Sequence, residues 1–268
     1  MAKSDDYDNG EMSMDLLASN IVPCLRSGIG AWLRKRPILD RARAVVPAAV
    51  KRTARQGRGP QAPISSPPTA PPAPDEVDRA RRFLEQEGLT RDLVALAPGA
   101  SDDLKRWPVA HFARLCRYMV EDLGAGVLAL GGPEEARLLY ELGARTRALP
   151  QMEIMLNLPL RQVAALLAQC VLCLGNDSGL MYLAAAVGTP VVVLFGPTIP
   201  RLPPWGRAQA VTSGIPCPYR PQQAFGYPRC VLAGSCLVGT PCIQVIDPAQ
   251  VCATVKAEYT KCLAEARS

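Results

Sequence analysis

The sequence of 268 residues contains no run of 18 or more apolar residues, the length that a membrane-spanning helix needs. The most apolar stretch near its start, residues 14–33, is interrupted by Asp15, Asn20, Pro23 and Arg26. We therefore predict no spanning helix and no cleaved signal peptide.

Histidine and closely spaced cysteine pairs are also scarce. His111 is the single histidine, and it falls in a helical pattern with no partner in the sequence, so we interpret it as a surface or packing residue. Four of the ten cysteines form a cluster, but their spacing lacks the C-x2-C pairs typical of zinc sites. We expect no metal, and interpret these four as reduced packing thiols, with structural zinc or local disulfides as alternatives. They are Cys217, Cys230, Cys236 and Cys242.

Acidic residues are nearly missing from residues 16–59, where ten Lys and Arg stand against the single acid Asp40. The formal net charge is only +6, so the remainder is close to neutral, which excludes a globally basic nucleic-acid-binding protein. Residues 1–59 therefore form a basic arm, either a solvated tail or a contact for an anionic membrane surface. Residues 60–74 contain seven prolines and are predicted to be a linker.

From residue 75 to the end, apolar strand patterns alternate with amphipathic helix patterns. The strands are LVALA, VLAL, a short segment near residues 151–156, VLCLG and VVVLF. A helix pattern separates each strand from the next, and a last helix is expected to begin with Asp247 as its N-cap. This alternation predicts an α/β domain over residues 75–268, Rossmann-like, with a parallel sheet and helices on both faces.

The stretch GNDSGLMYLAAAVGTPVVVLFGPT is a strand, loop, helix and strand unit. In parallel sheets ligands bind outside the carboxyl ends of the strands, which places Asp177, Ser178 and Gly179 at the binding edge. Asp177 or Ser178 can cap the helix, and Gly179 leaves the first-turn amides open to an anion such as phosphate. Helix capping alone is the competing interpretation.

Two further loops follow strands at the same edge. The loop PGASDDLKRWP offers Ser101 and the cation Lys105, which can reach a pyrophosphate. The loop GGPEE offers Glu134 and Glu135, either of which can accept hydrogen bonds from ribose hydroxyls. Acids in a first helical turn also serve simply to complement the helix dipole, so both roles remain open for these two residues.

The order and spacing of four motifs resemble the carboxyl-terminal, donor-binding domain of glycosyltransferase family 9, the ADP-heptose:lipopolysaccharide heptosyltransferases. The motifs are LAPGASDDLKRWP, LALGGPEE, LGNDSGLMYLAAAVGTPVVVLFGPT and CVLAGSCLVGTPCIQVIDPAQV. The resemblance implies one half of a GT-B fold, which binds a nucleotide sugar, and transfer of heptose from ADP-heptose to the lipopolysaccharide inner core. It also implies a cytoplasmic enzyme, peripheral at the inner membrane face, without a cofactor.

The resemblance also assigns residues to the donor. Ser101 and Lys105 would contact the diphosphate, Glu134 or Glu135 the ribose, and Leu158 the adenine. Asp177, Ser178 and Gly179 would line the sugar-diphosphate site. Tyr182 stands where the family usually has a histidine near the donor phosphates, and a tyrosine carries no positive charge near neutral pH. We therefore expect reduced activity or an altered donor.

The family normally has a complete acceptor domain before the linker, with an aspartate as general base, whereas here about 74 residues precede the domain and show no strand–helix alternation. We nominate no catalytic base. The alternative function is a truncated, non-catalytic module that binds nucleotide sugars. A related sugar-nucleotide epimerase would need catalytic acids and histidines from two domains, and the single histidine argues against it.

Overall fold

The computed structural model describes residues 71–89, 92–220 and 228–266. The predicted basic arm, residues 1–59, and all of the predicted linker except residues 71–74 lie outside this part of the chain. The first described helix, α1, begins at Pro74, the last residue of the predicted linker.

The described chain alternates strands and helices, as the sequence pattern predicts. The strands are β1 Leu93–Ala97, β2 Gly126–Gly131, β3 Met152–Leu156, β4 Cys170–Asn176, β5 Val191–Phe195 and β6 Ala208–Thr212. The helices are α1 Pro74–Gln86, α2 Val109–Glu121, α3 Ala136–Thr146, α4 Leu160–Leu167, α5 Gly179–Ala186, α6 Arg229–Ala233 and α7 Pro248–Ala266. Short 3-10 helices lie at Asp103–Lys105 and Pro133–Glu135.

The six strands form one parallel sheet in the order β3-β2-β1-β4-β5-β6. The chain moves outward in one direction from β1 to β3 and then returns to continue on the other side of β1 at β4. Strand order therefore reverses between β1 and β4, and their carboxyl ends diverge into a crevice where doubly wound sheets bind ligands.

Helices cover both faces of the sheet, which confirms the predicted Rossmann-like α/β class. Helix α2 packs against both α3 and α7 on one face, and α4 contacts both α1 and α5 on the other. Alternate strand residues, such as Val94 and Leu96 in β1 or Leu172 and Leu174 in β4, belong to the core under the first face. Most strand residues are buried on both faces, as a parallel sheet between two helical layers requires.

Local signals define two boundaries, and the predicted N-cap role of Asp247 is confirmed. Gly124 ends the turn after α2 with a positive φ of 65°, and the Asp247 carboxylate accepts a hydrogen bond from the backbone N–H of Ala249 at the start of α7 (2.9 Å). The edge strand β6 is an addition that the sequence pattern did not predict, because only Val211 among its five residues is buried. Among the described helices, none combines the length and the hydropathy needed to cross a bilayer.

Candidate functional site

A three-residue polar cluster lies at the carboxyl edge of the sheet, where strand order reverses. The Nζ of Lys105, in the loop after β1, lies 2.9 Å from Asp177 Oδ2, in the loop after β4, and 3.3 Å from the Asp177 backbone oxygen. The Thr198 hydroxyl, after β5, donates to the same Oδ2 at 2.9 Å. The side chains of Lys105 and Asp177 are 16% and 18% exposed, so this ion pair is accessible from the crevice but largely shielded.

The buried amide of Asn176 fixes the two central loops to each other. Its Oδ1 accepts from the backbone N–H of Trp107 (3.0 Å), and its Nδ2 donates to the carbonyl of Pro98 (2.7 Å). Trp107 is buried, and its indole Nε1 donates to the Ile246 carbonyl at 3.0 Å. Asn176 thereby holds both ends of the loop that carries Lys105. The contacts of Asn176 join residues 69 to 78 positions apart, and no local sequence pattern predicts them.

The two cations in the loop after β1 make different contacts. The Arg106 guanidinium donates from Nε and Nη2 to the carbonyl of Ala100, at 3.0 and 2.8 Å, and pairs with Asp103. Arg106 is thus occupied in shaping the loop, whereas Lys105 reaches across the crevice. Ser101, predicted to contact a diphosphate, is exposed on the same loop.

The N-terminus of α5 opens onto the same edge. Ser178 occupies the N-cap position, but its side chain makes no capping hydrogen bond, and its buried Oγ has no partner within the described residues. The expectation that Asp177 or Ser178 caps this helix is therefore wrong: the Asp177 carboxylate is engaged by Lys105 and Thr198. A Cβ built on Gly179 would meet no heavy atom within 4 Å, so open space lies beside the first-turn amides.

Glu135, from the loop after β2, also reaches the crevice. Its Oε2 accepts from the backbone N–H of Gly132, and a Cβ built on Gly99 would lie 1.8 Å from Oε1. Glycine at 99 is therefore what allows the carboxylate to lie against the loop after β1. Glu134, by contrast, is exposed. Of the two predicted acids, Glu135 is the one beside the loop of Lys105, while also completing the local turn.

Leu158, predicted to lie against an adenine, follows β3 two positions away from β1 in the sheet. It is half-buried and comes after Asn157, whose φ of 58° is the positive value of a left-handed residue and turns the chain sharply at the strand end. The backbone N–H of Asn157 donates to the Gly131 carbonyl at 2.9 Å. Leu158 thus lies on the Glu135 side of the edge, away from Thr198.

Tyr182 lies in the first turns of α5, but its hydroxyl donates to the backbone carbonyl of Arg201 at 3.0 Å. Burial and, to a lesser extent, the nearby Asp177 carboxylate raise the pKa of the phenol above its ordinary value, with Arg201 opposing. The side chain is therefore neutral at physiological pH. In this structure it ties α5 to the loop after β5 and does not supply a charge to the crevice.

The four clustered cysteines are free thiols, and they line one pocket together with Leu104 and Pro197. Burial raises the pKa of Cys230 and Cys242, although the Arg220 guanidinium partly opposes this at Cys242. No group of three or more His, Cys, Asp or Glu residues in the described ranges is placed to hold a metal ion. These four cysteines are Cys217, Cys230, Cys236 and Cys242.

His111 packs on the edge of Trp107, with ring centroids 5.1 Å apart, as the packing interpretation predicts. Burial, followed by the charge of Arg114, lowers its pKa, so it is neutral at neutral pH. His111 therefore supplies no positive charge that could compensate for the neutral Tyr182.

Comparison with known proteins assigns the family. The sequence model of glycosyltransferase family 9 (heptosyltransferase) matches residues 30–224, and the chain therefore belongs to this family. The match begins well before residue 75, where the predicted domain begins, and ends before the motif that contains Cys230, Cys236 and Cys242.

Individual relatives agree with this family. The lipooligosaccharide heptosyltransferase 2 of Haemophilus influenzae is 33% identical over 145 residues, which cover 51% of this chain and 40% of the relative. The lipopolysaccharide heptosyltransferase 2 of Salmonella typhimurium is 33% identical over 118 residues, covering 42% of this chain and 34% of the relative.

Solved structures of the family share the fold. The ADP-heptose lipopolysaccharide heptosyltransferase II of Escherichia coli superposes with a TM-score of 0.55 at 25% identity, over 70% of this chain and 52% of that one. A family 9 glycosyltransferase from Veillonella parvula gives a TM-score of 0.54 at 22% identity, over 70% and 53% of the two chains, and supports the fold alone. The chain thus spans about half the length of these structures and less of the curated relatives.

Proposed function

We propose that the described domain binds ADP-heptose through its diphosphate, and that the chain acts in transfer of heptose to the lipopolysaccharide inner core. The observation that carries this proposal is the convergence of Lys105, the unpartnered Ser178 hydroxyl and the open start of α5 in one crevice. A cation, a hydroxyl donor and helix amides are the groups that bind phosphate oxygens. Their position between β1 and β4 is the one that doubly wound sheets use for nucleotides.

The predicted donor residues other than Tyr182 have a place in this proposal. Lys105 and the first-turn amides at Gly179 neutralise charge on the diphosphate as it becomes the leaving group, a role that fixed charges perform well in a shielded crevice. Ser178 donates its free hydroxyl to a phosphate oxygen, and Ser101 approaches from the opposite loop. Asp177 lines the sugar side.

The nucleoside lies on the other side of the crevice in this proposal. Glu135 accepts from the ribose, with Glu134 farther out in solvent, and Leu158 contacts the adenine. This direction follows the sheet order, because the loops after β2 and β3 lie successively farther from the loop after β4.

Calorimetry on the full chain with ADP, UDP and ADP-heptose tests the binding step. Replacing Lys105 by alanine should weaken ADP binding about tenfold to a hundredfold, because one charge-assisted hydrogen bond is worth ~1.5–3 kcal/mol. Lys256→Ala, which removes an exposed lysine from α7, is the matched control and should leave the affinity unchanged. Equal effects of the two variants, or a preference for UDP over ADP, would contradict the proposal.

A non-catalytic module that binds nucleotide sugars is the second candidate. It is favoured by Tyr182, whose neutral hydroxyl is bonded to the Arg201 carbonyl and supplies no positive charge to a diphosphate leaving group. Both candidates share the binding step, so turnover separates them. Release of ADP from ADP-heptose that depends on a lipopolysaccharide core acceptor supports the transferase, whereas binding without such turnover supports the module.

The acceptor in this proposal is presented at the cytoplasmic face of the inner membrane. The basic arm would contribute through the cations between Arg34 and Arg58, since each basic residue near an anionic bilayer adds about 1 kcal/mol. Binding of the full chain to anionic vesicles should then fall steeply as salt is raised. Binding that is independent of salt would exclude this role for the arm.

A further inference from the structure

The loop that joins β5 to β6 carries two cations and no acid. It comprises residues 196–207, and its charged side chains are Arg201 and Arg207. Arg207 stands directly before β6, at the amino edge of the sheet, and pairs with Glu258 at 3.3 Å and with Glu265, both in helix α7. Arg201 is therefore the cation that this loop can bring to the carboxyl edge, where the crevice lies.

Two hydrogen bonds fix the first half of this loop beside the polar cluster. The Thr198 hydroxyl donates to Asp177 Oδ2 at 2.9 Å, and the Tyr182 hydroxyl donates to the Arg201 carbonyl at 3.0 Å. Tyr182 is the fourth residue of α5, so its bond holds the Arg201 backbone against the first turn of that helix. Arg201 thus follows by three residues the threonine that contacts the Lys105–Asp177 pair.

The charge of Arg201 acts on the crevice side of the loop. Burial raises the pKa of the Tyr182 phenol, the Asp177 carboxylate raises it further, and the Arg201 guanidinium opposes both. Charges shift a pKa in this way from within about 4–6 Å, so the guanidinium and the carboxylate lie near the same hydroxyl. Arg201 is exposed, which leaves its long side chain able to turn toward a ligand.

The order of the strands defines which part of a donor Arg201 can face. In the proposed function the nucleoside lies at the loops after β2 and β3, and the diphosphate lies between the loops after β1 and β4. Strand β5 is next in that direction. The β-phosphate is the end of the diphosphate farther from the nucleoside, so it is the phosphate closer to the loop after β5.

We infer that Arg201 binds the β-phosphate of the donor through its guanidinium, from the side of the crevice opposite the nucleoside. This inference rests on the proposed function, because it needs a nucleoside diphosphate at the start of α5. A guanidinium is always charged and binds phosphate oxygens through two parallel N–H bonds. Tyr182 then positions a cation instead of supplying one, and Arg201 stabilises the charge that develops on the β-phosphate as the sugar leaves.

Calorimetry on the full chain with ADP and with AMP tests this inference. Arg201→Gln should bind ADP about tenfold more weakly, because a charge-assisted contact is lost, and should bind AMP within about twofold of wild type. Glutamine retains the backbone carbonyl that Tyr182 bonds, so the melting temperature should not change. Arg201→Lys should lose less ADP affinity than Arg201→Gln, because it keeps the charge without the two-pronged contact.

Arg147→Gln is the matched control. It removes an exposed arginine at the carboxyl end of α3, and it should bind ADP like wild type. The inference is overturned if Arg201→Gln binds ADP like wild type, if it loses ADP and AMP affinity equally, or if the control loses as much. When Lys105→Ala weakens ADP binding and Arg201→Gln does not, the proposed function stands and only this inference fails. A wild type that binds neither ADP nor ADP-heptose would overturn both.

Discussion

Replacement of Asn176 by alanine should destabilise the domain strongly, because this one amide satisfies two buried backbone groups. The side chain is fully buried, and it bonds the N–H of Trp107 and the carbonyl of Pro98. In the alanine variant both groups remain buried without a partner. Each such group costs ~1–3 kcal/mol, so the expected loss is about 4 kcal/mol of the free energy of unfolding.

Urea denaturation followed by circular dichroism measures this loss. With a slope of about 2 kcal/mol per molar urea, the midpoint should fall by about 2 M. A loss of this size is a large part of the 5–15 kcal/mol that typically holds a domain folded. Where the variant remains folded, its ADP affinity should fall as well, because the loop of Lys105 is no longer fixed to β4.

Thr189→Val is the matched control. Thr189 is 3% exposed, and its hydroxyl donates one hydrogen bond, to the carbonyl of Leu167 at 2.7 Å. Valine preserves the shape and leaves one buried carbonyl unsatisfied, so the expected cost is ~1–1.5 kcal/mol. If Asn176→Ala costs no more than Thr189→Val, the two hydrogen bonds of Asn176 do not hold the loops together and the reasoning fails.

Three other changes probe the site and the helical layer. Gly179→Ala should leave the melting temperature unchanged or slightly higher, since its Cβ enters open space. The same variant should bind ADP more weakly in calorimetry, and an unchanged affinity would mean that the ligand binds elsewhere. Tyr182→Phe should lower the free energy of unfolding by about 1 kcal/mol in urea denaturation, because the hydrogen bond to Arg201 is lost. ADP affinity should change less than about threefold, and a larger loss of affinity would show that the phenol reaches the diphosphate. The pKa of Glu76 is lowered to about 2, first by the side-chain hydrogen bond from Arg161, so Glu76 stabilises the fold above its unfolded value of 4.5. The stability difference between wild type and Glu76→Gln should therefore close as pH falls from 4.5 to 2, and a difference that persists at pH 2 would refute the ion pair as its source.

The sequence predicted the sheet because burial on both faces produces short apolar runs, and five of the six strands are such runs. Strand β6 was not predicted because it lies at the sheet edge, where most of its side chains are half-exposed. The boundaries near Gly124 and Asp247 were predictable because turn and cap signals act within a few residues.

The candidate site was predicted in outline, since residues that follow parallel strands must share an edge. The pairing of Lys105 with Asp177 joins positions 72 apart, and it depends on which strands are neighbours, a property that strand patterns alone do not define. The side-chain direction of Tyr182 could not be predicted either. Its acceptor is a backbone carbonyl in an irregular loop, and a carbonyl has no sequence signature.

The charge balance of the crevice explains what a tyrosine at position 182 changes. The phenol is neutral and bonded to Arg201, so it adds no attraction for a diphosphate to that of Lys105 and the helix amides. Lys105 is already paired with Asp177, so in the proposed function the diphosphate shares its main cation with a carboxylate. The hydroxyl of Thr198 also donates to Asp177, which helps to hold the carboxylate in this position. A histidine with a positive charge would add a second cation that is not shared with Asp177. In the proposed function, Lys105 therefore serves Asp177 and the diphosphate together, which its three N–H donors allow.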